Sequence, residues 1–166
     1  MSAAAVAAIA LAACGAGDSG ADKREADIEA YAKTHGVDAD VEVDASGEVS
    51  SVTIKQGGGT VGNNLDLPDG FPADVKLPAS WTIQSSSPVP PSGFMLTGMV
   101  EDTVEGVASA VRETLTAEGW NETAYDASTP VMTRIAFEKD TRMTNISVMD
   151  TGGEKLSVQI LTMEKP

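Results

Sequence analysis

The stretch 101-EDTVEGVASAVRETLTAEGW-120 decides the fold. Val104, Val107, Ala108, Val111 and Leu115 recur at intervals of three and four, which places them on one face of an α-helix. Asp102 and Glu105 suit its first turn. Gly119 stands where a left-handed residue closes a helix, and Trp120 can then fold back on the last turn. A helix with a single apolar stripe needs a second layer to bury it.

The flanking segments predict that layer. Before the helix, 81-WTIQSS-86 and 93-GFMLTGMV-100 alternate as strands, joined by the loop 87-SPVPPS-92. After it come Val131 to Glu138, Met143 to Met149 and Leu156 to Met163, with turns at 139-KDT-141 and 150-DTGGE-154; 122-ETAYDA-127 adds a further candidate strand. Residues 81–166 therefore read as an α+β domain, an antiparallel sheet with one packed helix.

A small helix–hairpin module precedes it, over residues 22–56. In 22-DKREADIEAYAKTHG-36, Asp22 and Glu25 have capping-box spacing, Ile28, Tyr31, Ala32 and His35 share a face, and Gly36 is placed to end the helix. In 38-DADVEVDASGEVSSVTIKQ-56, Val41 and Val43 can match Val52 and Ile54 across a turn at Ser46-Gly47. Residues 57–80 are first Gly-rich and then Pro-rich. The stretch 57-GGGTVGNN-64 reads as a linker with room for a short strand. Pro68, Pro72, Pro78, Pro88, Pro90 and Pro91 keep the next part extended. Leu67, Phe71, Val75, Leu77 and Trp81 along it predict that it lies on a core.

The N-terminal residues predict an address. The apolar run Ala3 to Ala13 ends in 11-LAAC-14, at the only cysteine, and a Gly/Ala/Ser/Asp tether, Gly15 to Ala21, follows. LAAC resembles the lipobox of bacterial lipoproteins. The resemblance implies a signal peptide over 1–13 and a lipidated Cys14 at the start of a tether, residues 14–21. It also implies the cell envelope as location, on the periplasmic face of the outer membrane in a Gram-negative host. No Lys or Arg precedes the run, unlike most signal peptides. About 13 residues at roughly 1.5 Å each span some 20 Å, short of the roughly 30 Å hydrocarbon core, so an anchor fits better than a span. The Pro-bearing stretch resembles a segment of uncharacterised bacterial lipoproteins, and the architecture has a likeness to accessory lipoproteins of outer-membrane assembly.

The chain carries 25 acidic and 11 basic residues, a formal net charge of -14. Such a body repels nucleic acid and anionic headgroups, so the membrane is expected as a partner only through the lipid. With Cys14 acylated, no thiol is left for a disulfide, a zinc site or a nucleophile.

Candidate chemistry is sparse. His35 is the only histidine, no GxSxG elbow is present, and the helix dipole favours a histidine where this one stands. The acids Asp38, Asp40, Glu42 and Asp44 invite a calcium test. An EF-hand loop needs Gly at position six and Glu at twelve; starting at Asp38 these are Val43 and Val49, and starting at Asp40 they are Ala45 and Ser51. On a strand the four share one wet face, about 6.8 Å apart. The stretch 56-QGGGTVG-62 lacks the lysine of a phosphate loop.

The methionines carry the one suspect surface. Met95, Met99, Met132, Met143, Met149 and Met163 all fall on predicted strands, and strand residues alternate faces. Parity puts the branched and aromatic residues on the face the helix covers. The methionines go to the other, with Thr97, Arg134, Asn145 and Gln159. Either the N-terminal module or the Pro-rich segment covers that face, or it is an adaptable binding surface. Copper(I) is a further option, since thioethers suit it, but no His or Cys stands near. The sequence thus predicts a lipid-anchored, extracytoplasmic, non-catalytic protein without a cofactor, binding a protein or peptide or serving an envelope-structural role. The alternatives are a carboxylate-dependent hydrolase of the envelope and a calcium- or copper-binding protein.

Overall fold

The computed structural model describes residues 21–44, 46–78 and 80–165. Cys14 and the predicted signal segment lie outside the described residues. Among the described residues there are two helices and nine strands, all paired strands antiparallel, a mixed α and β chain dominated by β. The chain divides into two units between Asn63 and Asn64.

The first unit holds helix α1 (Ala21–Thr34) and strands β1 (Ala39–Val43), β2 (Val49–Ile54) and β3 (Gly59–Gly62). The hairpin pairs Val41 with Val52 and Val43 with Val49, and Gly47 takes φ +83° in the turn. Ile28 and Ala32 of α1 bury against Ala39 and Val41. The helix ends in a Schellman turn: Val37 N–H donates to Ala32 O and Gly36 N–H to Lys33 O, with Gly36 at φ +78°. The predicted capping box at Asp22 does not form, because α1 already begins at Ala21. Instead Glu25 accepts the N–H of Val43 at 2.9 Å, and Glu29 accepts that of Val41 at 3.1 Å. The spacings explain the match. Four helical residues rise about 6 Å and two strand residues about 6.8 Å, so two glutamates one turn apart reach alternate amides along β1. The short strand β3 within the Gly-rich stretch pairs with β2.

The second unit holds β4 (Thr82–Val89), β5 (Gly93–Val100), α2 (Val104–Ala117), β6 (Asn121–Thr129), β7 (Met132–Lys139), β8 (Arg142–Asp150) and β9 (Leu156–Glu164). Their order in the sheet is β4-β5-β9-β8-β7-β6. The N-cap of α2 is Thr103, whose Oγ1 accepts the Gly106 N–H at 3.0 Å. At its other end Gly119 takes φ +86°, and the Trp120 N–H donates to Leu115 O. Val107, Ala108, Val111 and Leu115 form one buried cluster with Ile135, Phe137, Ile146, Val148, Val158 and Ile160.

The structure departs from the sequence pattern at three places in this unit. The strand before the 90–92 loop runs on through Pro88, its penultimate residue, so the loop is shorter than 87–92. Val131 is 52% exposed and sits in the turn before β7 rather than on the core face, because pairing begins at Met132↔Thr129. The Pro-rich segment does not cover the methionine face. Phe71, Val75, Leu77 and Trp81 pack into the core cluster on the helix side, where α2 leaves the sheet uncovered.

Candidate functional site

Strand registers arrange the face opposite α2 in transverse rows. One row reads Met95–Leu161–Asn145–Ala136 across β5, β9, β8 and β7. The next is polar: Thr97–Gln159–Ser147–Arg134, ending on Asp126 of β6. The third reads Met99–Ser157–Met149–Met132, and beyond the first row Met163 lies opposite Met143. All six methionines therefore share one face, as parity demands once every pairing is antiparallel and in register. Directly opposed residues on one face stand about 5 Å apart, so Met132 and Met149, and Met143 and Met163, are neighbours.

The face is half dry. Met95 and Met149 are 37% and 42% exposed, while Met99, Met132, Met143 and Met163 are half-buried. Gln159 Nε2 donates to Met95 Sδ at 3.6 Å. A shallow depression of about 370 Å³ opens beside Arg134, Asp126, Asn145, Ser147, Ala124 and Ala136. Asp126 is held below the usual carboxylate range, first by the Ser128 hydroxyl, with a smaller contribution from Arg134. Another depression, of about 410 Å³, lies among Gly70, Pro88, Val89, Pro90, Pro91, Ser92, Gly93 and Phe94.

The most built polar cluster lies elsewhere and had no local sequence signal. Asp74 Oδ1 and Oδ2 accept from Arg142 Nη1 and Nη2 at 2.8 and 2.7 Å, and Oδ2 also accepts from Lys139 Nζ at 2.7 Å. The Asp74 carbonyl accepts the Trp120 indole N–H at 2.9 Å, and the Arg142 guanidinium lies 5.0 Å from a Trp120 ring centroid. Lys139 Nζ also donates to Glu118 O at 2.7 Å, at the end of α2. The Arg142 hydrogen bonds hold the Asp74 carboxyl far below its usual range, and Asp74 in turn raises Arg142. A carboxylate saturated by three charged donor contacts is a poor proton acceptor, so this cluster is a clamp. It ties the Pro-rich segment to the end of α2 and to the β7–β8 turn.

The remaining candidates stay apart. His35 is exposed, with Nδ1 2.9 Å from Tyr31 O and its ring 4.3 Å from that of Tyr31. Asp38, Asp40, Glu42 and Asp44 are all exposed. Glu42 accepts from the Ser51 hydroxyl, and Asp44 closes the hairpin turn by accepting from Ser46 and Glu48. Among the described residues no three His, Cys, Asp or Glu side chains converge into a metal-holding group. No helix among them is long and apolar enough to cross a membrane. No protein-family model, no curated protein and no solved structure matches this chain.

Proposed function

We propose that the chain is a lipid-anchored, extracytoplasmic, non-catalytic binding module that presents a methionine-rich sheet face to a protein or peptide of the cell envelope. In this reading the LAAC sequence directs acylation of Cys14, and the acidic tether and body stand off the periplasmic face of the outer membrane. The main domain is an α+β unit whose one helix covers one side of the sheet and leaves the other for recognition.

One observation carries the reading. Six methionines share a face while α2 and the side chains of Phe71, Val75, Leu77 and Trp81 pack on the opposite side, and Met95 and Met149 stay exposed. Unbranched thioethers repack around differing partners, and apolar surface left wet costs about 25 cal/mol per Å².

Dilute peroxide followed by peptide mass mapping tests it. In the purified chain Met95 and Met149 should oxidise fastest of the six; in intact envelopes they should be protected. Equal rates in both settings would show that nothing occupies the face.

A further inference from the structure

The polar row between the methionine rows holds donors that meet no acceptor. In the second unit Lys76, Arg112, Lys139, Arg142, Lys155 and Lys165 are each ion-paired to an acid. Arg134, the remaining cation of that unit, makes neither an ion pair nor a hydrogen bond among the described residues. Asp126, its register partner on the same face, is the acid placed to meet it. Its Oδ1 instead accepts the Ser128 N–H at 2.9 Å, within its own turn. Glu138, the acid on this face of β7, is taken by Lys165 at 2.6 Å. The Arg134 side chain therefore stands exposed, its donors unused, beside the depression of about 370 Å³. Two more donors line that depression, the Asn145 amide and the Ser147 hydroxyl. Both residues are half-buried, and neither side chain is hydrogen-bonded among the described residues. Ser147 lies opposite Arg134 at about 5 Å, and Asn145 lies two residues along β8, about 6.8 Å from Ser147.

We infer that this depression receives a single Glu or Asp side chain from an otherwise apolar segment of the partner protein, its carboxylate held by Arg134 with Asn145 and Ser147. The inference rests on the binding reading above and names the group that the face recognises. A carboxylate only accepts hydrogen bonds, and its two oxygens match the fork of a guanidinium. The surroundings select the rest of the segment. The polar row lies between Met95–Leu161–Asn145–Ala136 and Met99–Ser157–Met149–Met132, so a segment crossing it meets apolar surface on both sides of the acid. Covering those rows excludes water from the ion pair and strengthens it. A chain end would leave one row bare. A phosphate would bring a second negative charge to a site with one cation and Asp126 beside it. A strongly acidic partner is disfavoured as well, because a chain of formal net charge -14 repels it at range.

The test uses the purified full chain and three short fluorescent peptides of Leu, Ala and Ser. One has Glu at its centre and an amidated end, one has Gln at its centre and an amidated end, and one has the Gln centre with a free carboxylate end. Anisotropy should show the Glu peptide binding about tenfold more tightly than the amidated Gln peptide, the scale of a charge-assisted hydrogen bond. Arg134→Gln should lower Glu-peptide binding to the Gln level and leave Gln-peptide binding unaltered, which also reports an intact face. In wild type the bound Glu peptide should slow peroxide oxidation of Met149. If the two amidated peptides bind equally and both protect Met149, the binding face stands and the carboxylate is overturned. If the preference for Glu survives Arg134→Gln, the acid sits elsewhere and this site is overturned. Tightest binding by the free-ended peptide would move the carboxylate to a chain end and overturn the internal acid. If no peptide binds and Met149 oxidises as before, the binding reading falls and the inference with it. A wild-type dimer in sedimentation that Arg134→Gln abolishes would assign the depression to a second copy and overturn the partner.

Discussion

Asp74 and Arg142, 68 residues apart in sequence, form a two-pronged ion pair at 2.7 and 2.8 Å, and the same guanidinium lies against the Trp120 ring. Asp74→Asn keeps the size but leaves Arg142 and Lys139 facing a neutral amide. Hydrogen bonds to charged groups contribute about 1.5–3 kcal/mol, and denaturant unfolding should show a loss in that range. The pH dependence has a definite sign. Asp74 is depressed in the folded chain from an ordinary value of 3.8, so its contribution is complete above that value and is lost as the pH falls below it. Between pH 5 and 2 the wild type should therefore lose stability more steeply than Asp74→Asn.

Gly98 lies beneath the Trp81 indole, and a Cβ built on it would overlap Nε1. The overlap is with the Trp81 ring, which packs against the core, and with the Thr82 carbonyl, so relief requires shifting both Trp81 and the β4–β5 backbone. Gly98→Ala should cost roughly 1–3 kcal/mol, the range for overpacking. Trp81 Nε1 is also buried and meets no hydrogen-bond partner among the described residues. Trp81→Phe removes that orphaned donor and should cost less than its lost area suggests. A melting point for Gly98→Ala equal to wild type would contradict the packing of Trp81 on β5.

Leu115 is fully buried between α2 and the sheet, in the cluster with Ile135, Phe137, Val158 and Ile160. Leu115→Ala should cost about 2–5 kcal/mol. At roughly 4–8 °C per kcal/mol for a unit of this size, the melting point should fall by about eight degrees or more. A shift of a degree or less would show that this helix face is not the one that packs.

The parts that sequence could reveal share a physical reason. The stripe of α2 and the alternation in β5, β7, β8 and β9 are readable because each element buries one side only. Parity then carries the six methionines to a common face without any knowledge of strand order. Strand β6 is exposed along both sides, so no alternation marks it, and only composition and turn spacing pointed to 122–127. The start of β7 could not be placed to the residue, since Val131 and Met132 are both apolar and pairing decides between them. Nothing local announced the Asp74 clamp, whose partners stand 65 and 68 residues away. Nor could pattern choose the side on which the Pro-rich segment lies. Its apolar spacing shows that it packs, and the gap beside α2 decides where.

Glu25 and Glu29 accept two amides of β1, the outer strand of its small sheet. Unpaired amides on an outer strand invite pairing with another chain, and charged side chains discourage it. Glu25→Ala with Glu29→Ala should leave both N–H groups bare and cost about 1 kcal/mol per bond. The variant should also self-associate at concentrations where the wild type is monomeric, visible by sedimentation. A less stable variant of unchanged mass would mean that the glutamates brace β1 without guarding it.

Cys14 lies outside the described residues and is the chain's only thiol. If LAAC is read as a lipobox, the mature chain begins at an acylated Cys14 and leaves residues 1–13 behind. Its mass should then fall by that segment and rise by two or three acyl chains. One chain anchors a protein only marginally, whereas two or more hold it firmly, so the mature protein should resist high-salt extraction from membranes and yield to detergent. High salt is the informative wash, because a body of formal charge -14 has little electrostatic attraction for anionic lipid to be screened. Cys14→Ser should abolish the acyl mass and either free the protein or leave the uncleaved precursor. Gly15, rather than an aspartate, follows the cysteine, which in a Gram-negative host should direct the protein to the outer membrane. Unchanged mass and unchanged membrane retention in Cys14→Ser would remove the anchor from the account, while the methionine face would stand or fall on its own peroxide test.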